Sequence, residues 1–418
     1  MSSPREEVAS AIRDIPIEQL SPARDAMFAA DTIYPVFDRL RAEDPVHFVD
    51  DPVYGPFWSI TRHDDIVAVE SNYEAFSSAK GTALLSIESQ ANATNLAHRH
   101  FMEMDPPEHG LQRRTILPVV APSNLVRLKP LIRERAAQIL DSLPIGEEFD
   151  WVDLVSKELT SMMLATLLDF PQEDRRKLTF WSDVLTNAPG FGPVTSWEQK
   201  RTEIQKFHAA ILELRELRRQ SPPSFDLVSM LVHGEHTKDV DVDQYIMNMS
   251  LLLIGGNDTT RNTISGSLNA LNLFPEEFRK LRANPALIPS MVAESIRWQT
   301  PIAHMIRTAT RDTELRGKLI RAGERVVLWY VSANRDDLVI PDPYSYVIDR
   351  ENPRPYLAFG YGIHRCLGNG LATLQLTIIW EEILKRFPEI RVTGTPRRTH
   401  SVRFRGFESL PVTIPARI

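Results

Sequence analysis

Phe359-Gly360-Tyr361-Gly362-Ile363-His364-Arg365-Cys366-Leu367-Gly368 holds the only cysteine of the chain. Glycines at 360 and 362 permit backbone conformations closed to other residues. A helix-patterned run, Leu367 to Leu384, begins directly after Cys366. Amides at a helix N-terminus would point at the sulfur and favour thiolate over thiol. A lone cysteine is most often a small buried hydrophobe; the glycine-shaped loop and the helix start raise the functional reading above that one. With one cysteine no intrachain disulfide forms, and a thiolate zinc cluster is excluded. Two chemical roles stay open. One is a nucleophile with His364 as its base. The other is a ligand to an ion that a single thiolate can hold, for which haem iron is the obvious case.

Working outward, Asn334 to Tyr361 shows neither a helical nor a strand period, and so long an irregular run is unusual unless functional. Elsewhere the pattern is mostly helical. Leu125 to Leu140, Trp151 to Leu168 and Glu198 to Arg219 repeat apolar residues at three and four, and His63 to Phe76 and Ile288 to Trp298 also read as helices. Pro45 to Val49 and Phe57 to Ile60 alternate like two strands around the breakers Asp50, Asp51, Pro52 and Gly55. Thr308 to Leu315, Arg325 to Val331 and the tail from Val402 to Ile414 are further β-like pieces. No linker separates two composition regimes. The expectation is an N-terminal segment, residues 1–34, followed by a single mainly α domain with a minor β part over 35–418.

Of the 418 residues, 43% are hydrophobic and 25% charged, a soluble globular balance. Lys plus Arg number 48 against 55 for Asp plus Glu, a net charge of −7, which argues against a general nucleic-acid or anionic-membrane binder. Met1 to Ile15 lacks the apolar core of a signal peptide, and no run reaches the ~20 apolar residues of a membrane span. A cytoplasmic protein is expected.

A second segment bears on the role of Cys366. Asp241 to Leu273 reads as a long apolar helix interrupted by Gly255-Gly256, with Asn257-Asp258-Thr259-Thr260 following. Each glycine there costs about 1 kcal/mol relative to alanine, and an Asp in an apolar helix costs more unless paired. The bland reading is a kink at a surface crossing. The sharper one is a helix opened beside a bound group, with an acid and a hydroxyl placed to relay protons. Glu294 and Arg297, at i and i+3, by themselves are an ordinary helix pair.

Taken together, Phe-x-x-Gly-x-x-x-Cys-x-Gly at 359–368, Gly-Gly-x-Asp-Thr-Thr at 255–260 and Glu-x-x-Arg at 294–297 resemble the cytochrome P-450 family of haem-thiolate monooxygenases. The resemblance runs from about Pro35 to the C-terminus. It implies a triangular, mainly α fold with haem b between a long kinked helix and the helix after the cysteine loop. It makes Cys366 the axial thiolate, with Phe359 packed near it, and Asp258 and Thr259 the acid–alcohol pair of proton delivery. It assigns the haem propionates to His109, Arg113, Arg307 and His364. Glu294 and Arg297 become a structural pair, although Pro343-Tyr344-Ser345-Tyr346 lacks the arginine that usually joins them; Arg350 could substitute.

By the same resemblance the pocket is lined by the loop Gly81 to Ala97 and by Leu251, Ile254, Gly255, Ile302, Ala303 and Phe404. Nearly all are apolar, so a hydrophobic substrate is expected, and the sequence assigns no cation to the pocket mouth for a fatty acid. The motifs at 255–262 and 359–369, together with Met104-Asp105-Pro106-Pro107 and Trp329 to Asp336, look like those of bacterial alkane and fatty-acid terminal hydroxylases. Gly370 stands where that group usually has arginine. With no reductase region in the chain, O2 chemistry would draw electrons from a ferredoxin and an NAD(P)H ferredoxin reductase, docked at Arg113, Arg114, Arg354 and Arg365. The alternatives are a terpenoid or steroid hydroxylase acting on a ring or internal carbon, a haem-thiolate sensor without turnover, and a cysteine hydrolase. The Asp258–Thr259 pair argues against a sensor, which needs no proton delivery.

Overall fold

The apolar periodicity at three and four becomes the helices Pro122–Asp141, Trp197–Arg219, Val242–Leu273, Ile288–Gln299 and Asn369–Arg386 in the computed structural model, which describes residues 4–92 and 99–418. Five strands form the main sheet, in the order Val46–Asp51, Gly55–Ile60, Arg325–Leu328, Met305–Ala309 and Phe76–Ser77. The first two make the antiparallel hairpin expected from the alternation, with Val46 opposite Ile60. The third joins parallel to the second, Trp58 facing Val326, and antiparallel to the fourth, Met305 facing Leu328. Smaller pairings hold the tail: Pro411–Thr413 lies between Glu148–Asp150 and Arg391–Val392.

Three elements depart from their expected form. The helix Val242–Leu273 runs unbroken through Gly255-Gly256, so the expected interruption is absent. Its residues from Asn257 to Leu271 are almost all buried against neighbouring helices, and that packing outweighs the propensity cost of two glycines. Gly256 fits closely under Leu164, whose Cδ1 lies 3.0 Å from where a Cβ would stand, whereas Gly255 faces open space. The helix from His63 ends at Ser71, and Phe76 instead pairs with Ala309 in the sheet. The last long helix starts at Asn369, leaving Leu367 and Gly368 in the turn after Cys366.

The main apolar core lies between Asn369–Arg386, Val242–Leu273, Ile288–Gln299 and Pro122–Asp141, around Trp151, Leu268, Ile379 and Trp380. A second core gathers Ile12, Leu20, Phe28 and Ile33 from the N-terminal region against Phe37 and Trp329. Between these layers the segment from 334 to 361 has no helix or strand, as its sequence pattern indicates. Its backbone groups find side-chain partners instead. Arg297 donates to the carbonyls of Asn334 (2.9 Å), Pro343 (2.9 Å) and Ser345 (3.1 Å). The Leu357 amide donates to Asn334 Oδ1 at 2.7 Å, and the Val347 amide to Glu294 Oε1 at 2.9 Å.

Candidate active site

The cysteine loop is fixed from two sides. Gly360 and Gly362 adopt φ of +67° and +62°, the left-handed region that glycine tolerates. A Cβ at Gly362 would stand 2.4 Å from the carbonyl oxygen of Glu70, so the loop and the helix His63–Ser71 touch backbone to backbone. The Cys366 amide donates to the Phe359 carbonyl at 2.8 Å, closing the loop. The buried carboxylate of Glu70 then joins three parts: it accepts from the Tyr361 amide (2.8 Å), the Tyr330 hydroxyl (2.7 Å) and Arg307 (3.0 Å). No sequence pattern marks Glu70, because its partners lie hundreds of positions away.

Cys366 keeps some accessible surface, and that surface faces a large internal cavity. Burial pushes its thiol pKa up, against the amides of Gly368 and Asn369 and the guanidinium groups of Arg113 and Arg365, which favour thiolate. The two amides act in the direction the helix-start argument expects, but burial outweighs them and favours the thiol; metal coordination would remove its proton. The cavity encloses about 1710 Å³ of atom-free space, its opening included. Its walls include Phe101, Leu251, Ile254, Ile302, Met305 and Phe404, with Phe359, His364 and Arg307 near the sulfur.

Along the cysteine side, polar atoms lack protein partners. Both ring nitrogens of His364, Nε2 of His109 and one terminal nitrogen of Arg113 are buried without a hydrogen bond. The two imidazoles pack together at a centroid separation of 4.2 Å, and Arg113 donates its other terminal nitrogen to the Arg365 carbonyl at 2.6 Å. Burial, with nearby guanidinium groups adding to it, pushes His109 down to about 4 and His364 down to about 2. Native proteins rarely leave buried donors unsatisfied; four such atoms on three residues beside one thiol fit the anionic edge of a haem held by Cys366. The hydrolase alternative fails here: His364 has no third group to orient it and is a weak base. Among the described residues no group of three or more His, Cys, Asp or Glu could hold another metal.

Across the cavity the expected acid and alcohol face opposite ways. Thr259 lines the cavity and its hydroxyl donates to the Gly255 carbonyl at 3.1 Å. Asp258 is buried behind the helix, accepting from Asn257 Nδ2 (3.0 Å) and pairing with Arg261 (2.9 Å). Arg261 reaches Asp183 at 2.5 Å, and Asp183 meets Lys157 at 3.5 Å. Burial raises the Asp258 pKa, Arg261 opposing and Asp183 adding to the rise. A chain of charged groups thus leads from behind Thr259 to the part-exposed Lys157; Asp183 and Lys157 carry no motif, and Arg261, although inside the motif at 255–262, received no role from the sequence.

Glu294 and Arg297 are fully buried and joined by two bonds of 2.7 Å. Arg350 is the third member of the cluster and its second cation, its Nε standing 3.1 Å from both carboxylate oxygens. It also donates to the carbonyls of Pro341, Asp342 and Ser345.

One pocket assignment is corrected. Leu251, Ile254, Gly255, Ile302 and Phe404 line the cavity, but Ala303 does not; it is buried in the second core beside Val327 and Trp329. Ile302 bridges to Phe404, and in extended chain the next side chain turns to the opposite face. Of the loop Gly81 to Ala97, Thr82 lines the cavity and Leu84 is buried in the second core; positions 93–97 lie outside the described residues. Arg403, which the sequence reading passed over, is in the wall. Of the four arginines expected near the cysteine, Arg113 turns inward, while Arg114, Arg354 and Arg365 are exposed. Gly370, where an arginine was expected, sits against the helix Pro122–Asp141: a Cβ there would come 2.9 Å from Leu125 Cδ1. Among the described residues no helix is long and apolar enough to cross a membrane.

Residues 282–398 match the family described as Cytochrome P450. Linalool 8-monooxygenase of Pseudomonas putida is 33% identical over 386 residues, spanning 91% of this chain and 95% of that protein. Methyl-branched lipid omega-hydroxylase of Mycobacterium tuberculosis is 29% identical over 394 residues, 90% of each chain. The solved structure of Cytochrome P450-153 from Novosphingobium aromaticivorans superposes with a TM-score of 0.87 at 41% identity, covering 94% of this chain and 99% of that one.

Proposed function

The chain belongs to the cytochrome P450 family of haem-thiolate monooxygenases, and from that premise we propose that it hydroxylates the terminal carbon of a medium- or long-chain alkane or fatty acid. The observation that carries this reading is the apolar wall formed by Leu251, Ile254, Ile302, Met305 and Phe404 opposite Cys366. Such a wall binds an unfunctionalised chain by burial alone, at about 25 cal/mol per Å² of apolar surface. The similarity to the mycobacterial methyl-branched lipid omega-hydroxylase lends support.

In this reading Cys366 holds the haem iron through Sγ, and Phe359 packs beside it. Arg307, Arg113, His109 and His364 would take the propionates, which would satisfy the atoms left open on Arg113, His109 and His364. The haem supplies oxygen activation, using O2 and two electrons. Thr259 Oγ1 presents a proton to the cavity, and Asp258, whose pKa burial raises, is the acid behind it on the same helix turn that supplies protons to that side. Leu251, Ile254, Gly255, Ile302 and Phe404 orient the chain so that its end, rather than its weaker methylene C–H bonds, meets the reacting centre. Electrons come from a ferredoxin and its NAD(P)H-dependent reductase in the cytoplasm, the exposed Arg354 and Arg365 offering an acidic partner its contact.

The test is product analysis: holoenzyme, a surrogate ferredoxin and reductase, and dodecane or dodecanoic acid, with the hydroxyl position read by mass spectrometry. Predominantly terminal product is expected. Internal hydroxylation alone, or turnover of linalool and of neither dodecyl substrate, would overturn the terminal assignment. That second outcome is the terpenoid reading, which the 33% identity to linalool 8-monooxygenase favours.

A further inference from the structure

We infer that Arg403 receives the carboxylate of the substrate, so that among aliphatic chains the cavity takes a fatty acid in preference to an alkane. The inference rests on the proposed function and narrows its substrate class.

Arg403 lines the cavity beside Phe404 and Ile302. Its backbone is anchored, since its carbonyl accepts from the Ala303 amide at 2.8 Å. Its guanidinium carbon lies 5.0 Å from the centroid of the Phe404 ring, which limits where the fork can point. Yet the buried Nε has no hydrogen-bond partner, and among the described residues the side chain makes no ion pair or hydrogen bond. The other inward-facing arginines differ. Arg261, Arg297, Arg307, Arg335 and Arg405 each donate to a carboxylate or a carbonyl.

The carboxylates whose fields reach Arg403 are Glu103 and Asp258, and both are engaged elsewhere. Glu103 lies 3.5 Å from His100 Nε2 and accepts from the Thr82 amide at 3.3 Å; Asp258 pairs with Arg261. Positions 93–98 read Ala-Thr-Asn-Leu-Ala-His and bring no carboxylate. Arginine does not shed its proton in a protein, so the wall holds a cation with His100, His304 and Glu103 in its surroundings but no ion-pair partner of its own among the described residues. An alkane would bury that charge unpaired, which is costly. A carboxylate can meet the guanidinium fork with two charge-assisted bonds, leaving the alkyl chain for the apolar wall.

The experiment compares dodecanoic acid with dodecane in the holoenzyme, reading the dissociation constant from the change in haem absorption on binding. Wild type should bind the acid more tightly. Arg403→Ala should weaken the acid by about 10- to 100-fold, the range expected for a hydrogen bond to a charged group, while dodecane binds as tightly as to wild type or more tightly, because the unpaired charge it would bury is gone. Arg403→Lys should keep most of the acid preference, and Arg403→Glu should prefer dodecyltrimethylammonium. Equal weakening of acid and alkane, an unchanged acid constant in Arg403→Ala, or a loss confined to haem content would each overturn the inference, the last by giving the guanidinium to the cofactor. Hydroxyl position in the same samples reports separately on the proposed function. Internal product with Arg403-dependent acid binding removes the terminal assignment alone; terminal product with Arg403-independent binding removes the anchor alone.

Discussion

The two sides of the cavity are built on different terms. On the cysteine side, almost every group has a dictated place. Two residues need positive φ, one of them against a neighbouring backbone, and Glu70 ties the loop to Arg307 and Tyr330. On the opposite side the wall is mostly Leu, Ile, Met and Phe side chains, with Arg403 as its charged exception and Gly255 facing open space. Directional bonds and backbone contacts tolerate few residue types, whereas apolar contact tolerates many of similar volume. The first side can therefore specify the chemistry while the second is free to vary with the substrate.

That contrast can be broken most severely at Gly362. Gly362→Ala forces a side chain into left-handed backbone and against the Glu70 carbonyl, so it should cost about 3 kcal/mol and release haem. Denaturant unfolding of the holoenzyme, with haem content followed in parallel, checks this; an unaltered midpoint would mean that the loop is less constrained than its contacts indicate. Thr259→Ala should act on function with little effect on stability, because its hydroxyl bonds only to the carbonyl one turn earlier. Product formed per oxygen consumed should fall several-fold while the unfolding midpoint stays within about 1 kcal/mol. Unchanged coupling would remove Thr259 from proton delivery. The mildest test separates two adjacent residues. Ile302→Ala should redistribute the hydroxylation positions, whereas Ala303→Leu should leave them alone and cost about 1–3 kcal/mol by overpacking the core. A product shift from Ala303→Leu alone would reverse the orientation assigned to that strand.

The same contrast governs what could be read in the sequence. The cysteine loop was legible because glycine at 360 and 362 and cysteine at 366 are each chemically irreplaceable, and local spacing brings them together. Helices with a clear apolar period were legible too, to within a few residues at their ends. The continuity of Val242–Leu273 was not, since local propensity argues for a break and only burial on neighbouring helices overrules it. Ala303 was misplaced because a one-residue step in extended chain exchanges wall for core. Glu70 and the Arg261–Asp183–Lys157 chain act through partners far apart in sequence, whereas Arg350, which the sequence offered as the substitute cation, takes that place on Glu294. Arg403 was hidden for another reason: a tail arginine in a sequence with 48 basic residues does not announce itself until the fold turns it inward.

Arg297 has a consequence for how the molecule comes apart. One guanidinium, itself locked to Glu294, grips carbonyls at 334, 343 and 345, and Arg350 returns to the same carboxylate. The segment leading to the cysteine loop is thus not a set of independently fluctuating turns. Opening any part of it would expose a buried charge pair, so hydrogen exchange along residues 334–350 should proceed in one concerted event, and its rate should report on the readiness of the protein to surrender its cofactor.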